Sequence, residues 1–63
     1  MEEIKKNFEE YINKRIRLEQ LGFAPSSENA GAVSGYINAL IDTKQITKED
    51  STEFYASYYN KIL

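Results

Sequence analysis

Ten acidic side chains, eight basic ones and no histidine or cysteine form the chemical inventory of this 63-residue chain. Without histidine there is no usual general base and no imidazole to hold a metal. Without cysteine there is no disulfide, no thiolate zinc site and no sulfur nucleophile. The acid pairs Glu2–Glu3 and Glu9–Glu10 are chain neighbours. On a helix, neighbours diverge by about 100°, so neither pair makes a shared-proton dyad. The serines lack a histidine to activate them, and no glycine-rich segment has the spacing of a phosphate cradle. These residues point away from an enzyme, and no cofactor or metal is expected.

The bases offer a second chemistry. Lys5, Lys6, Lys14, Arg15 and Arg17 all fall in the first third of the chain. Lys14, Arg15 and Arg17 would supply the phosphate contacts of a weak nucleic-acid or nucleoprotein-binding regulator, which is the alternative function. Against it, Glu2–Lys6, Glu10–Lys14 and Arg15–Glu19 each stand four residues apart and neutralise one another along a helix. The net charge of −2 leaves no basic footprint. Nucleic acid is therefore not the expected partner. No apolar run approaches the ~20 residues of a membrane span. The opening Met1–Lys6 is acidic and lacks the apolar core of a secretion signal. The lack of cysteine suits a reducing compartment. A cytoplasmic setting with no membrane partner is expected.

What remains is recognition by a surface. Gly31, Gly35 and Ala39 stand four residues apart in a segment that otherwise reads as a helix. A glycine in a helix interior costs ~1 kcal/mol relative to alanine. Close approach of another backbone or a ring is the physical reason to accept that cost. The neighbour would lie inside the chain or belong to another chain, and the plain alternative is that the stripe faces solvent. With close packing, a methyl added at Gly35 should clash and destabilise by ~1–3 kcal/mol.

Tyrosine supplies five of the eight aromatic residues. Tyr55 and Tyr59 lie one turn apart near the end of the chain and suit a half-exposed interface. Arg15 and Glu19 project into the same helical sector as Ile4, Phe8 and Ile12. Either they set the register of a partner, or the apolar stripe slides to Ile16, Leu18 and Leu21 while Arg15 lays its stem over the core edge. The candidate partner-binding residues are thus Gly31, Gly35, Ala39, Tyr55, Tyr59, Arg15 and Glu19.

Three helices must position these residues, over about 2–21, 28–43 and 48–62. The first shows Ile4, Phe8, Tyr11, Ile12, Ile16 and Leu18 at helical spacing, with Glu2 and Glu3 in its first turn. Gly22 is placed to take a left-handed stop, with Phe23 and Leu18 as its apolar pair and Pro25 beyond. Ser26 or Ser27 is the expected cap of the second helix, whose bulky face is Val33, Ile37, Leu40 and Ile41. Asp42–Gln45 is a polar break without glycine. Thr47 with Asp50 imitates a capping box for the third helix, which carries Phe54, Tyr55, Tyr58, Tyr59 and Ile62.

The stretch from Leu40 through Ile46–Thr47 to Phe54 resembles the short C-terminal helical hairpin found at the ends of many bacterial proteins. In that family an isoleucine–threonine step followed by acids joins two short helices, and Ile46-Thr47-Lys48-Glu49 carries the match. The family's glycine before the isoleucine is Gln45 here, and its aromatic after the acids is Ser51. The resemblance covers less than half the chain and implies a helical hairpin, without a function.

The expected fold is all-α: a small three-helix domain over residues 1–63, its last two helices forming an antiparallel hairpin. A chain this short buries only ~60% of its unfolded surface, so self-association, most simply a homodimer, is expected to help it. The expected function is a small non-enzymatic protein–protein interaction or regulatory module acting through a helical face. Such short acidic frames are frequent among phage and mobile-element accessory proteins. The partner would be another protein or a second copy. A structural subunit of a larger assembly is the third class.

Overall fold

Helix α1 spans Glu2–Gln20, α2 Ser26–Asp42 and α3 Lys48–Ile62 in the computed structural model, which describes all 63 residues. Helix accounts for 81% of the chain and there is no strand. The stop of α1 is the expected one. Gly22 takes φ +84°. The Phe23 amide donates to the Leu18 carbonyl at 2.9 Å, and the Gly22 amide to that of Glu19 at 3.0 Å. That bond pair defines a Schellman stop.

The start of α2 differs from expectation by two residues. Neither Ser26 nor Ser27 caps it, because both already lie in its first turn. Pro25 is the capping residue, with φ −74° and ψ 156°. Its fixed φ aims the chain into the helix, and its carbonyl accepts from the amides of Glu28 and Asn29. At the far end, α2 stops with the same two-bond pattern as α1. The Gln45 amide donates to the Leu40 carbonyl and the Lys44 amide to that of Ile41. Here the left-handed position is occupied by Lys44, at φ 60°. Helix α3 opens with the expected capping box: the Asp50 amide donates to the Thr47 hydroxyl at 3.1 Å, and the Thr47 amide to the Asp50 carboxylate at 3.0 Å.

The two tight stops return each helix along its predecessor. Helices α2 and α3 form the antiparallel hairpin, and α1 runs parallel to α3. The Lys5–Glu53 ion pair at 2.8 Å and the Ser57–Glu9 hydrogen bond both join α1 to α3 over the same separation of 48 residues. Charged side chains thus pair between helices. Glu2–Lys6, Glu10–Lys14 and Arg15–Glu19 do not close as ion pairs; Lys5–Glu53, Arg15–Glu28 and Lys61–Glu9 do.

The core is Phe8, Ile12, Val33, Ile37, Leu40, Ile46, Phe54 and Tyr58. Phe8 meets Phe54 edge-on, with ring centroids 4.9 Å apart, and Tyr36 packs across Phe8 and Tyr11. Burying each such side chain contributes roughly 1.5–3 kcal/mol. This core closes within one chain and lends no support to an obligate homodimer. The molecule measures 33 × 18 × 17 Å and so has two distinct ends. One holds the start of α1 and the α2–α3 turn. The other holds the α1–α2 turn and the end of α3.

Candidate interaction surface

The polar residues on the core-facing side of α1 find a partner inside the chain. Asn29 is fully buried, one turn before Val33 on the core face of α2. Its carbonyl oxygen accepts from Arg15 Nε at 2.8 Å. Its amide donates to the Arg15 main-chain carbonyl at 2.8 Å and to Glu19 Oε1 at 2.9 Å. Arg15 Nη2 also reaches Glu28 at 3.7 Å. Arg15 and Glu19 therefore clasp α2 through the guanidinium Nε and one carboxylate oxygen, and both side chains are directed to a partner within the chain. Burial is the main cause that raises the Tyr58 pKa, and the negative charge of Glu19 adds to it.

The small stripe makes no close contact within the chain, which corrects the intrachain packing considered above. A Cβ built on Gly31 or Gly35 meets nothing within 4 Å. Gly31, Gly35 and Ala39 all lie on the exposed side of α2. The physical reason is phase: the stripe lies opposite Val33, Ile37 and Leu40, and these already fill the contact with α1 and α3. Tyr55 and Tyr59 stack at 6.4 Å between centroids, beside this face. The Tyr55 hydroxyl is 3.1 Å from that of Ser34, which precedes Gly35. The structure thus brings the glycines and the two tyrosines to adjoining surface, while Arg15 and Glu19 turn inward.

A third surface was missed by reasoning from residue spacing. Leu18, expected on the apolar stripe, is 37% exposed, and Leu21 and Phe23 beyond it are 56% and 76% exposed. The main-chain bond from Phe23 to Leu18 turns the chain back at the end of α1, so the three exposed residues fall within one tight stop. Lys14 precedes Leu18 by one turn and Arg17 precedes Leu21 by one turn. Both bases are exposed, and neither is in any of the three ion pairs. The available signal was phase. Leu18 and Leu21 drift off the sector of Phe8 and Ile12 towards the outer side of the helix.

The remaining titratable cluster joins Glu9, Ser57 and Lys61. The Ser57 hydroxyl donates to the Glu9 carboxylate, and Lys61 approaches it at 3.1 Å. The Ser57 hydrogen bond is the main cause that lowers the Glu9 pKa, and Lys61 lowers it further. A carboxylate so stabilised is a weaker base than an ordinary glutamate, so it is poorly suited to activating the serine. Beside it, a groove of about 250 Å³ is lined by Lys5, Phe8, Glu9, Glu53, Phe54 and Ser57. Its charged walls are already paired with each other. No helix is long and apolar enough to cross a membrane.

No protein-family model matches the chain, and no curated protein or solved structure matches it significantly. Function must therefore be argued from the surface itself.

Proposed function

We propose that this protein is a small non-enzymatic protein-binding module that acts through a helical face, the outer side of α1 at its C-terminal end. The observation that supports this reading is the exposed trio Leu18, Leu21 and Phe23 beside a core that is complete without it. Contiguous exposed apolar side chains rimmed by charge suit a protein partner. A regulatory role in the cytoplasm, of the kind found among phage and mobile-element accessory proteins, is the setting proposed.

The competing surfaces are less well suited. For nucleic acid, Arg15 is occupied by Asn29 and Glu28, which leaves Lys14 and Arg17 around an apolar centre. For a second copy on the small stripe, α2 carries Glu28 and Asp42 and no base. An antiparallel pairing centred on Gly35 sets Glu28 of one copy against Asp42 of the other, a like-charge contact on both sides. The test is affinity purification with mass spectrometry from the native cell, comparing the parent with a Leu21→Ser, Phe23→Ser variant of unchanged helicity. Proteins held by the parent and lost by the variant support the reading. Identical sets from both chains refute it.

A further inference from the structure

We infer that the occupant of the Leu18–Leu21–Phe23 surface is an acidic amphipathic segment of another protein, a deepening that rests on the binding face proposed above. The argument is charge complementarity around an apolar centre. Lys14 and Arg17 flank the trio on the exposed side of α1, and neither has an intrachain ion partner. The carboxylates nearest the surface are not equivalent to them. Glu19 accepts from the buried Asn29 amide, and Glu28 is paired with Arg15. Glu10, one turn before Lys14, shares that side of the helix, and Glu3 has the phase of Leu21 but lies about five turns away, near the start of α1. A segment that seats apolar side chains on Leu21 and Phe23 therefore brings its flanking groups to two unpaired cations. Carboxylates there are attracted, and lysines or arginines are repelled. A helix presenting anchors one turn apart would match the spacing of Leu18 and Leu21 along α1.

Two other classes of ligand fit less well. A membrane surface needs a larger apolar face and a denser set of bases than two, on a chain whose net charge is −2. A nucleic acid gains little from Leu21 and Phe23 standing between its phosphate contacts.

A displayed library of random peptides, each roughly 16 residues or about four helical turns long, is panned against the full chain. Enriched peptides should be net acidic, with apolar residues at helical spacing. Their affinity should fall by about tenfold or more with Leu21→Ser plus Phe23→Ser. Lys14→Glu plus Arg17→Glu should weaken them and reverse their salt dependence, since added salt then screens repulsion instead of attraction. These two residues are exposed, so this second variant remains informative if the first fails to fold. Enrichment of neutral or basic peptides, enrichment of none, or indifference to all four substitutions overturns the inference. So does equal binding of anionic phospholipid vesicles or duplex DNA through the same four residues. Neutral apolar peptides that depend on Leu21 and Phe23 would sink the acidic partner and leave the protein-binding face standing.

Discussion

Asn29 and Arg15 hold each other at both ends. The guanidinium donates to the Asn29 side-chain oxygen, and the Asn29 amide donates to the Arg15 main-chain carbonyl, each at 2.8 Å. Because Asn29 is fully buried, sliding α1 along α2 would strand its polar atoms away from water. The pair thus acts as a register lock between two helices whose apolar contacts alone are less selective. Asn29→Ala should destabilise the protein by about 2–3 kcal/mol, from a lost charge-assisted bond and a small void. Asn29→Asp should be worse at neutral pH than in acid. There a carboxylate oxygen would face the Arg15 carbonyl and the Glu19 carboxylate, and protonation would relieve the repulsion. Urea denaturation of both variants at two pH values measures this. A loss for Asn29→Ala within about 0.5 kcal/mol of zero, the usual surface range, would remove the register role.

Glu9 makes the acid side of the stability profile testable. Its folded-state pKa is lowered, first by the Ser57 hydrogen bond and then by Lys61. A lowered carboxylate pKa contributes stability above the unfolded value, about 4.3 for glutamate. That stability is lost as the pH falls through the folded value. Ser57→Ala removes the largest cause. The parent should therefore exceed Ser57→Ala in stability at neutral pH, and the gap should narrow below about pH 4. An NMR titration of the Glu9 carboxyl should place its midpoint below the ordinary range in the parent and move it up in the variant. Coincident titration curves would contradict the arrangement.

How far the residues reveal this architecture depends on whether the decisive contact is local. The Gly22 stop and the Thr47–Asp50 box are local, and both were legible. The opening of α2 is also local, but two serines look like caps while Pro25 does the work by fixing φ. The stop at Lys44 left no glycine to read. Asn29 was legible in principle, since it lies in phase with Val33, Ile37 and Leu40. Arg15 and Glu19 are likewise in phase with the core-facing side of α1. Three polar residues in phase with cores are a signal, but that they meet one another depends on the register between α1 and α2. The stripe of α1 runs out into solvent towards Leu21 instead of sliding with the helix, and Phe23 lies beyond the Gly22 stop, where helical phase gives no signal.

Lys44 marks a place where a single change should strengthen the fold. It holds the left-handed position of the α2 stop at φ 60°. A side chain there costs roughly 1–2 kcal/mol. Glycine avoids that strain, while its greater freedom in the unfolded chain takes back about 0.5–1 kcal/mol. Lys44→Gly should therefore raise stability by up to about 1.5 kcal/mol. Gly22→Ala is the converse. Nothing lies within 4 Å of its added methyl, so its loss should come from φ +84° alone. Urea midpoints of the two variants should move in opposite directions, and a shift in the same direction would contradict the account of the two stops.

Gly35 gives the sharpest test, because the sequence and the structure assign its substitution opposite signs. Close packing of the small stripe requires Gly35→Ala to destabilise. The open space found around Gly35 and Gly31 removes the clash. What remains is helix propensity and a less flexible unfolded chain, and both favour alanine by up to ~1 kcal/mol. Gly35→Ala should therefore melt higher than the parent, and Gly31→Ala should do the same. The two lie one turn apart on the same exposed side and share no neighbour that a methyl would touch, so their gains should be close to additive. Gly35→Leu should also be accepted by the isolated chain. Thermal denaturation over a wide range of protein concentration separates the possibilities. A rise that is independent of concentration leaves the α2 face to solvent. A fall that deepens with concentration would instead place a second chain against Gly31, Gly35 and Ala39, with the repulsion between Glu28 and Asp42 overcome by close backbone contact.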